Sequence, residues 1–176
     1  FNKKKDTRYY NQITALSMAK DAVIKELGEQ SANHKITVLA CGQGQDTHRF
    51  IKYGFVESLN VDNDRVALAT LLARRMDSVL GSKKFDVLAR KPHKLIVQYA
   101  DLNDDPWAAI SQHYKSEYHD TCVCNLAIHY FLVDKNKAIQ FAQFVDKILG
   151  AGGRFSYTCF NGRKVFELLS SKLVTG

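Results

Sequence analysis

The chain is poor in the residues that staple, span or stiffen a protein. Its 176 residues include two prolines, one tryptophan and four cysteines. Cys122 and Cys124 are separated by a single residue, the wrong spacing for a zinc knuckle, and their alternation with apolar neighbours predicts strand packing. Reduced, intracellular thiols and no metal centre are therefore expected. No run of about 18 apolar residues occurs, so no transmembrane helix and no membrane partner are expected. The first residues are charged and no apolar stretch follows them, which argues against a secretory signal. Repeats, low-complexity tracts and internal linkers are absent. What is present suits one domain over residues 1–176, with 45% hydrophobic content to build a core. A chain that opens on Phe1 rather than Met is expected to be a piece of a longer protein.

Acidic residues are in deficit, 18 against 25 Lys and Arg, for a net charge of +7. The excess falls in clusters at Lys3-Lys4-Lys5 with Arg8, Arg74-Arg75, Lys83-Lys84, Arg90-Lys91 with Lys94, and Arg163-Lys164 with Lys172. One such cluster is an ordinary solvated surface. Summed over a domain, they favour a polyanionic partner such as RNA.

The stretch from Lys35 to Asp62 organises the chain. Ile36 to Leu39 reads as a buried strand. It ends in Ala40-Cys41-Gly42-Gln43-Gly44-Gln45-Asp46, a helical pattern follows, and a second apolar run from Phe55 to Val61 stops at Asp62. Glycines let backbone N–H groups approach a ligand, and a terminal acid can accept two ribose hydroxyls. Thr47 stands where the dinucleotide fingerprint needs a third glycine, so NAD is not favoured. Alternatively, Asp62 caps the next helix and Asp101 begins a turn.

Helices are predicted at Asp6–Leu27 (ended by Gly28), Asp64–Leu80, Pro106 to about Tyr114, Asn136–Leu149 and Arg163–Leu173. Val66, Leu68, Leu71, Leu72, Met76 and Leu80 of the second are offered to the core. Strands are predicted at Leu95–Ala100, Thr121–Ala127 and Arg154–Phe160, with a short extra strand at Phe85–Leu88 and a turn at Ala151-Gly152-Gly153. Alternating strands and helices imply a mostly parallel α/β sheet covered on both faces, a Rossmann-like architecture. In such a sheet ligands lie beyond the carboxyl ends of the strands, which here offer the Gly42–Gly44 loop, Asp62, Asp101 and the segment from Asn125 to Tyr130.

Two resemblances follow from these residues. The glycine loop and Asp62 resemble the first two motifs of class I methyltransferases that use S-adenosylmethionine, although Val38, Leu39 and Ala40 occupy the region where those enzymes often carry an acid. Asn125-Leu-Ala-Ile-His129-Tyr130-Phe131, then a helix, Gly152-Gly153, a strand and Thr158-Cys-Phe-Asn-Gly-Arg-Lys-Val165 resemble the mRNA cap guanine-N7 methyltransferases, in the version carried by capping enzymes of large DNA viruses. The resemblance runs from about Tyr9 to Leu169. It implies S-adenosylmethionine as cofactor, held by Lys20, Ala40, Gly42, Gly44, Asp62, Asp101, Leu102, Asn125 and Tyr130. It places Asn11, Arg49, His129 and Tyr130 at the cap guanine and RNA. Capped mRNA is the implied partner, together with other capping domains or an activating subunit. The implied location is intracellular: host cytoplasm or virion for a viral protein, the nucleus for a cellular one. It also implies a final strand pair beyond Gly176 that completes the guanine pocket.

No proton-transfer dyad stands out, and this chemistry needs none, since guanine N7 attacks through a lone pair and has no proton to lose. A methyltransferase for another substrate and a non-catalytic, partner-binding relative of the fold are the alternatives.

Overall fold

The computed structural model describes residues 10–80, 91–114 and 119–173, with the backbone alone at 10–12, 168, 169 and 171–173. Among the described residues five strands form one sheet: β1 (Lys35–Leu39), β2 (Glu57–Asp62), β3 (Lys94–Tyr99), β4 (His119–Asn125) and β5 (Leu149–Thr158). Every pairing is parallel and the order is β3-β2-β1-β4-β5. The chain winds outward from β1 in both directions, so the order reverses between β1 and β4. Leu39 lies opposite Val61 on one side and Cys124 on the other, which brings the carboxyl ends of the three central strands level.

Among the described residues six α-helices cover the sheet: α1 (Tyr10–Gln30), α2 (Thr47–Lys52), α3 (Arg65–Leu80), α4 (Pro106–Ile110), α5 (Lys135–Ile148) and α6 (Gly162–Leu173). Side chains alternate across each strand, and the two core clusters follow that alternation. Ile36, Val38 and Val123 pack with Ile24 and Leu27 of α1 and with Phe50 and Phe55. Leu39, Leu59, Val61, Cys122 and Cys124 pack with Ile110, Tyr114, Phe141, Phe144 and Ile148. Both faces of the central strands are therefore buried, and for that reason they are rich in apolar residues, with Thr37, Ser58, Asn60 and Thr121 the buried polar exceptions.

Several boundaries differ from expectation. α1 continues through Gly28 to Gln30. A Cβ on Gly28 would lie 2.4 Å from the Tyr53 carbonyl oxygen, so this glycine permits close helix packing and does not end the helix. The buried side of α1 is Ile24, Leu27 and Gly28, while Ile13 is exposed. On α3 the buried residues are Ala67, Leu68 and Leu71; Val66, Leu72, Met76 and Leu80 are exposed. α4 is five residues long and passes into a 3-10 turn over Ser111–Tyr114. β4 starts two residues early and stops at Asn125, because Leu126 takes a left-handed conformation with φ of 61°. The glycines expected to form a turn after α5 lie inside β5, which follows that helix directly. Between the pairs His119–Leu149 and Thr121–Arg154 the register shifts, and Gly150 to Gly153 absorb the shift as a bulge. The expected strand at Phe85–Leu88 and the basic residues at 3–5, 8, 83, 84 and 90 lie outside the described residues.

Candidate functional site

Two adjoining cavities open at the carboxyl ends of β1, β2 and β4, where the strand order reverses. Their volumes are about 500 Å³ and 210 Å³, and they share Ala40, Asn125 and Leu126 as a common wall. Ala40 and Leu126, the residues immediately after β1 and β4, have φ of 51° and 61°. Left-handed backbone at a non-glycine residue costs energy that the surroundings must offset, and it concentrates at functional sites. Here both instances bend the chain away from a strand end and open the space between β1 and β4.

The larger cavity is bounded by Asp62, Asp101, Leu102 and Tyr130. Asp62 Oδ2 accepts the Gly42 N–H at 2.7 Å and Oδ1 accepts the Asp64 N–H at 2.9 Å. The end of β2 thus braces the glycine loop. Capping of α3 falls to Asp64, whose Oδ1 accepts from Val66 and Ala67. Asp101 Oδ1 accepts the Asn103 N–H at 2.9 Å, and this bond holds its carboxyl below the usual carboxylate range. The acid is therefore ionised at neutral pH, and it both begins a turn and borders the cavity.

The smaller cavity is bounded by Lys20, Gly42, Gln43, Gly44 and Asp46. Gly44 has φ of 66°, and a Cβ there would sit 2.5 Å from Leu71, so the loop lies tight against α3. Cys41 lines the same space, where burial pushes its thiol up to about 12. It is a thiol at neutral pH and not a nucleophilic thiolate.

Asp46 is the centre of the site's polar network, a role the sequence reading did not assign. Its Oδ2 accepts from Lys20 Nζ at 2.9 Å and from Asn125 Nδ2 at 3.1 Å. Its Oδ1 accepts from Arg49 Nη1 at 2.6 Å. Asn125 Oδ1 in turn accepts the Thr158 hydroxyl at 3.1 Å. One buried carboxylate thereby joins α1, α2, β4 and β5 around the cavity. The available signal was its chemistry: an acid that ends a glycine loop, in a chain short of acids.

The remaining expected residues divide. Lys20, Ala40, Gly42, Gly44, Asp62, Asp101, Leu102, Asn125 and Tyr130 all line one or both cavities. His129 and Tyr130 fall in a 3-10 turn (Ile128–Tyr130) after β4, with ring centroids 4.1 Å apart. Both are exposed, so His129 is not a core histidine; the buried neighbour is Phe131, stacked on Phe141. Arg49 departs from expectation. Its side chain is 11% exposed, bonded to Asp46 and to Ser17 at 2.6 Å, and its Nε is 3.7 Å from Asp21. It is an internal cation, paired within the fold. The side chain of Asn11 lies outside the described residues.

Comparison with known proteins places this geometry in a class. The structure matches an S-adenosylmethionine-dependent methyltransferase from Clostridium acetobutylicum with a TM-score of 0.57 and 20% identity, over 85% of this chain and 53% of that one. It matches the glycopeptide N-methyltransferase MtfA, solved with S-adenosylmethionine, with a TM-score of 0.53 and 15% identity, over 86% and 59%. The chain therefore has the Rossmann-like fold of class I S-adenosylmethionine-dependent methyltransferases, and the cofactor implied by its glycine loop is the one for which these neighbours are named.

In sequence the chain is similar to the mRNA-capping enzyme of African swine fever virus, with 28% identity over 176 residues. That alignment covers 94% of this chain and 19% of the viral enzyme, so the chain spans about a fifth of its relative's length. No family profile matches the chain.

Proposed function

We propose that this domain transfers a methyl group from S-adenosylmethionine to guanine N7 of the mRNA 5′ cap. The observation that carries the reading is the exposed His129–Tyr130 ring pair, of which Tyr130 lines the same cavity as Asp62 and Asp101. The cleft has the size of a small-molecule site, within about 300–1,000 Å³. Its chemistry fits the donor. Asp62 and Asp101 would accept from ribose hydroxyls and an adenine amino group, beside Leu102 in the same cavity. Lys20, Ala40, Gly42 and Gly44, which line the smaller cavity, would hold the methionine end, with Asn125 lining both cavities and Tyr130 the larger. Similarity to a viral capping enzyme favours capped mRNA over other methyl acceptors, as does the net charge of +7. On this reading the protein works inside the cell, in the infected cytoplasm or the virion if it is viral like its relative, beside other capping domains or an activating subunit.

When bound, S-adenosylmethionine supplies an electrophilic methyl group on a sulfonium. The protein's work is positional. Guanine N7 carries a lone pair and no proton, so methyl transfer to it would need no proton-transfer residue from the protein. Holding the reactants in line can contribute about 7–11 kcal/mol. Tyr130 offers a face to a base that becomes cationic on methylation, a contact of about 0.5–2 kcal/mol. His129 offers a polar contact to the base edge.

The test is a methyl-transfer assay on capped and uncapped RNA, with parallel titration of S-adenosylmethionine. Donor binding together with methylation of capped RNA alone is expected. Transfer that ignores the cap would leave a methyltransferase of another substrate, and absence of donor binding would leave a non-catalytic relative of the fold.

A further inference from the structure

Asn60 lies inside β2, is 0% exposed and borders the smaller cavity. In sequence it passes as one position of the run from Phe55 to Val61. Its amide nitrogen donates to the Ser58 hydroxyl at 2.9 Å and, at 3.3 Å each, to the carbonyl oxygens of Ser58 and Ile96. Carbonyl oxygens can only accept, so the amide cannot be turned round, and its nitrogen belongs on the side of β3. The amide oxygen then points toward β1, where the register sets Asn60 beside Val38, another residue of the cavity wall. That oxygen, Oδ1, is buried and has no hydrogen-bond partner among the described residues. An unpaired buried acceptor costs stability unless a ligand brings the donor.

The methionine end of the donor, which the smaller cavity would hold, carries an ammonium with three N–H donors. Other acceptors on that wall are already engaged. Asp46 takes Lys20, Arg49 and Asn125 on its two oxygens. The Cys41 and Gly44 carbonyl oxygens accept the N–H groups of Gly44 and Thr47, and the Gln43 carbonyl oxygen accepts from Arg74. Val38, beside Asn60 in the sheet, offers only carbon. Asn60 Oδ1 is a preset acceptor in a site closed to bulk water, where a hydrogen bond to a cation is stronger than at the surface.

We propose that Asn60 Oδ1 accepts a hydrogen bond from the α-ammonium of S-adenosylmethionine and makes the domain selective for adenosyl ligands that carry this group. The inference rests on the donor placement proposed above and adds to it a residue from the interior of a strand. β2 then serves two parts of one ligand, with Asp62 at the ribose and Asn60 at the amino acid. The bonds from the Asn60 nitrogen to Ser58 and Ile96 fix the oxygen before the ligand arrives, so little side-chain freedom is lost on binding.

The experiment titrates wild type, Asn60→Leu and Asn60→Asp with S-adenosylhomocysteine and with its deaminated analogue, in which hydrogen replaces the α-ammonium; thermal melts on the same samples check the fold. Wild type is expected to bind S-adenosylhomocysteine about tenfold more tightly than the analogue. Asn60→Leu should lose about tenfold on S-adenosylhomocysteine and stay within about twofold on the analogue, so that the preference vanishes. Asn60→Asp keeps an acceptor on the cavity side and should keep the preference. In wild-type protein the Asn60 side-chain amide resonance, assigned by its absence from Asn60→Asp, should move further on saturation with S-adenosylhomocysteine than with the analogue, which decides the matter even where Asn60→Leu does not fold. An Asn60→Leu protein that keeps the preference, an Asn60 resonance indifferent to the ammonium, or equal wild-type affinity for the two ligands overturns the proposal and leaves the donor site standing. Equal loss on both ligands would make Asn60 a scaffold residue and also overturn it. A wild type that binds neither ligand would remove the donor placement as well.

Discussion

Replacing Asp46 with Ala removes the counter-charge of two cations at once. Lys20 Nζ and Arg49 Nη1 lie 2.9 Å and 2.6 Å from its carboxylate, and all three side chains are 11–12% exposed. Arg49 keeps Ser17 and the longer contact to Asp21, whereas Lys20 has no other recorded partner among the described residues. Removing one member of a buried ion pair costs about 3–5 kcal/mol, and the residual solvent access of these groups puts the expected loss near the lower end. For a domain of this size each kcal/mol lowers Tm by about 2–4 °C, so Asp46→Ala is expected to melt about 6–12 °C below wild type. Lys20→Met leaves Asp46 with Arg49 and Asn125 and should cost less, about 1–2 kcal/mol. The double variant should recover part of the Asp46→Ala loss, because the unpaired ammonium is gone. Thermal melts followed by circular dichroism measure all three. An Asp46→Ala protein that melts within about 2 °C of wild type would refute the reasoning, since the carboxylate would then not be holding the two cations.

Asp62→Ala should weaken S-adenosylmethionine binding tenfold or more, at about 1.5–3 kcal/mol for each hydrogen bond to a charged acceptor; unchanged affinity in titration would restrict this acid to bracing Gly42. His129→Ala should lower cap methylation about tenfold while stability moves by no more than about 0.5 kcal/mol, because the ring is exposed. A destabilised but fully active His129→Ala enzyme would end the base-contact assignment. Gly28→Ala should lose about 1–3 kcal/mol in a denaturant titration through the clash with the Tyr53 carbonyl oxygen; a more stable variant would mean that helix propensity outweighs a contact the backbone can relax.

The chain order of strands and helices, the parallel sheet and the residues at its carboxyl edge were legible in the sequence. Strands buried on both faces are rich in apolar residues, and Ile36 to Leu39 and Leu59 to Val61 are so, with Thr37 and Asn60 buried among them and hydrogen-bonded. A loop that bends back over a strand end needs left-handed backbone, and Gly42 and Gly44 supply that. Glycine identity was less informative where glycine serves packing or a bulge. Gly28 looks like a helix stop and is a contact point; Gly150 to Gly153 look like a turn and lie in a strand.

Only the tertiary structure decided which charges pair inside the fold and which stay exposed. Local sequence places Arg49 beside the glycine loop, but α1 brings Ser17, Lys20 and Asp21 over it, and Asp46 then takes Arg49 as an internal partner. The same packing makes Asp46 a junction of four elements and leaves Arg74, 31 residues beyond Gln43 on α3, bonded to the loop through that glutamine. Apolar residues on α3 were misplaced for a related reason: periodicity shows which residues share a face but not which face the sheet covers, and Val66 and Met76 are on the outside. Periodicity and turn chemistry act over a few residues and can be read along the chain. Charge pairing and burial depend on what the fold brings from 26 to 32 residues away, and the sequence does not carry that distance on its surface.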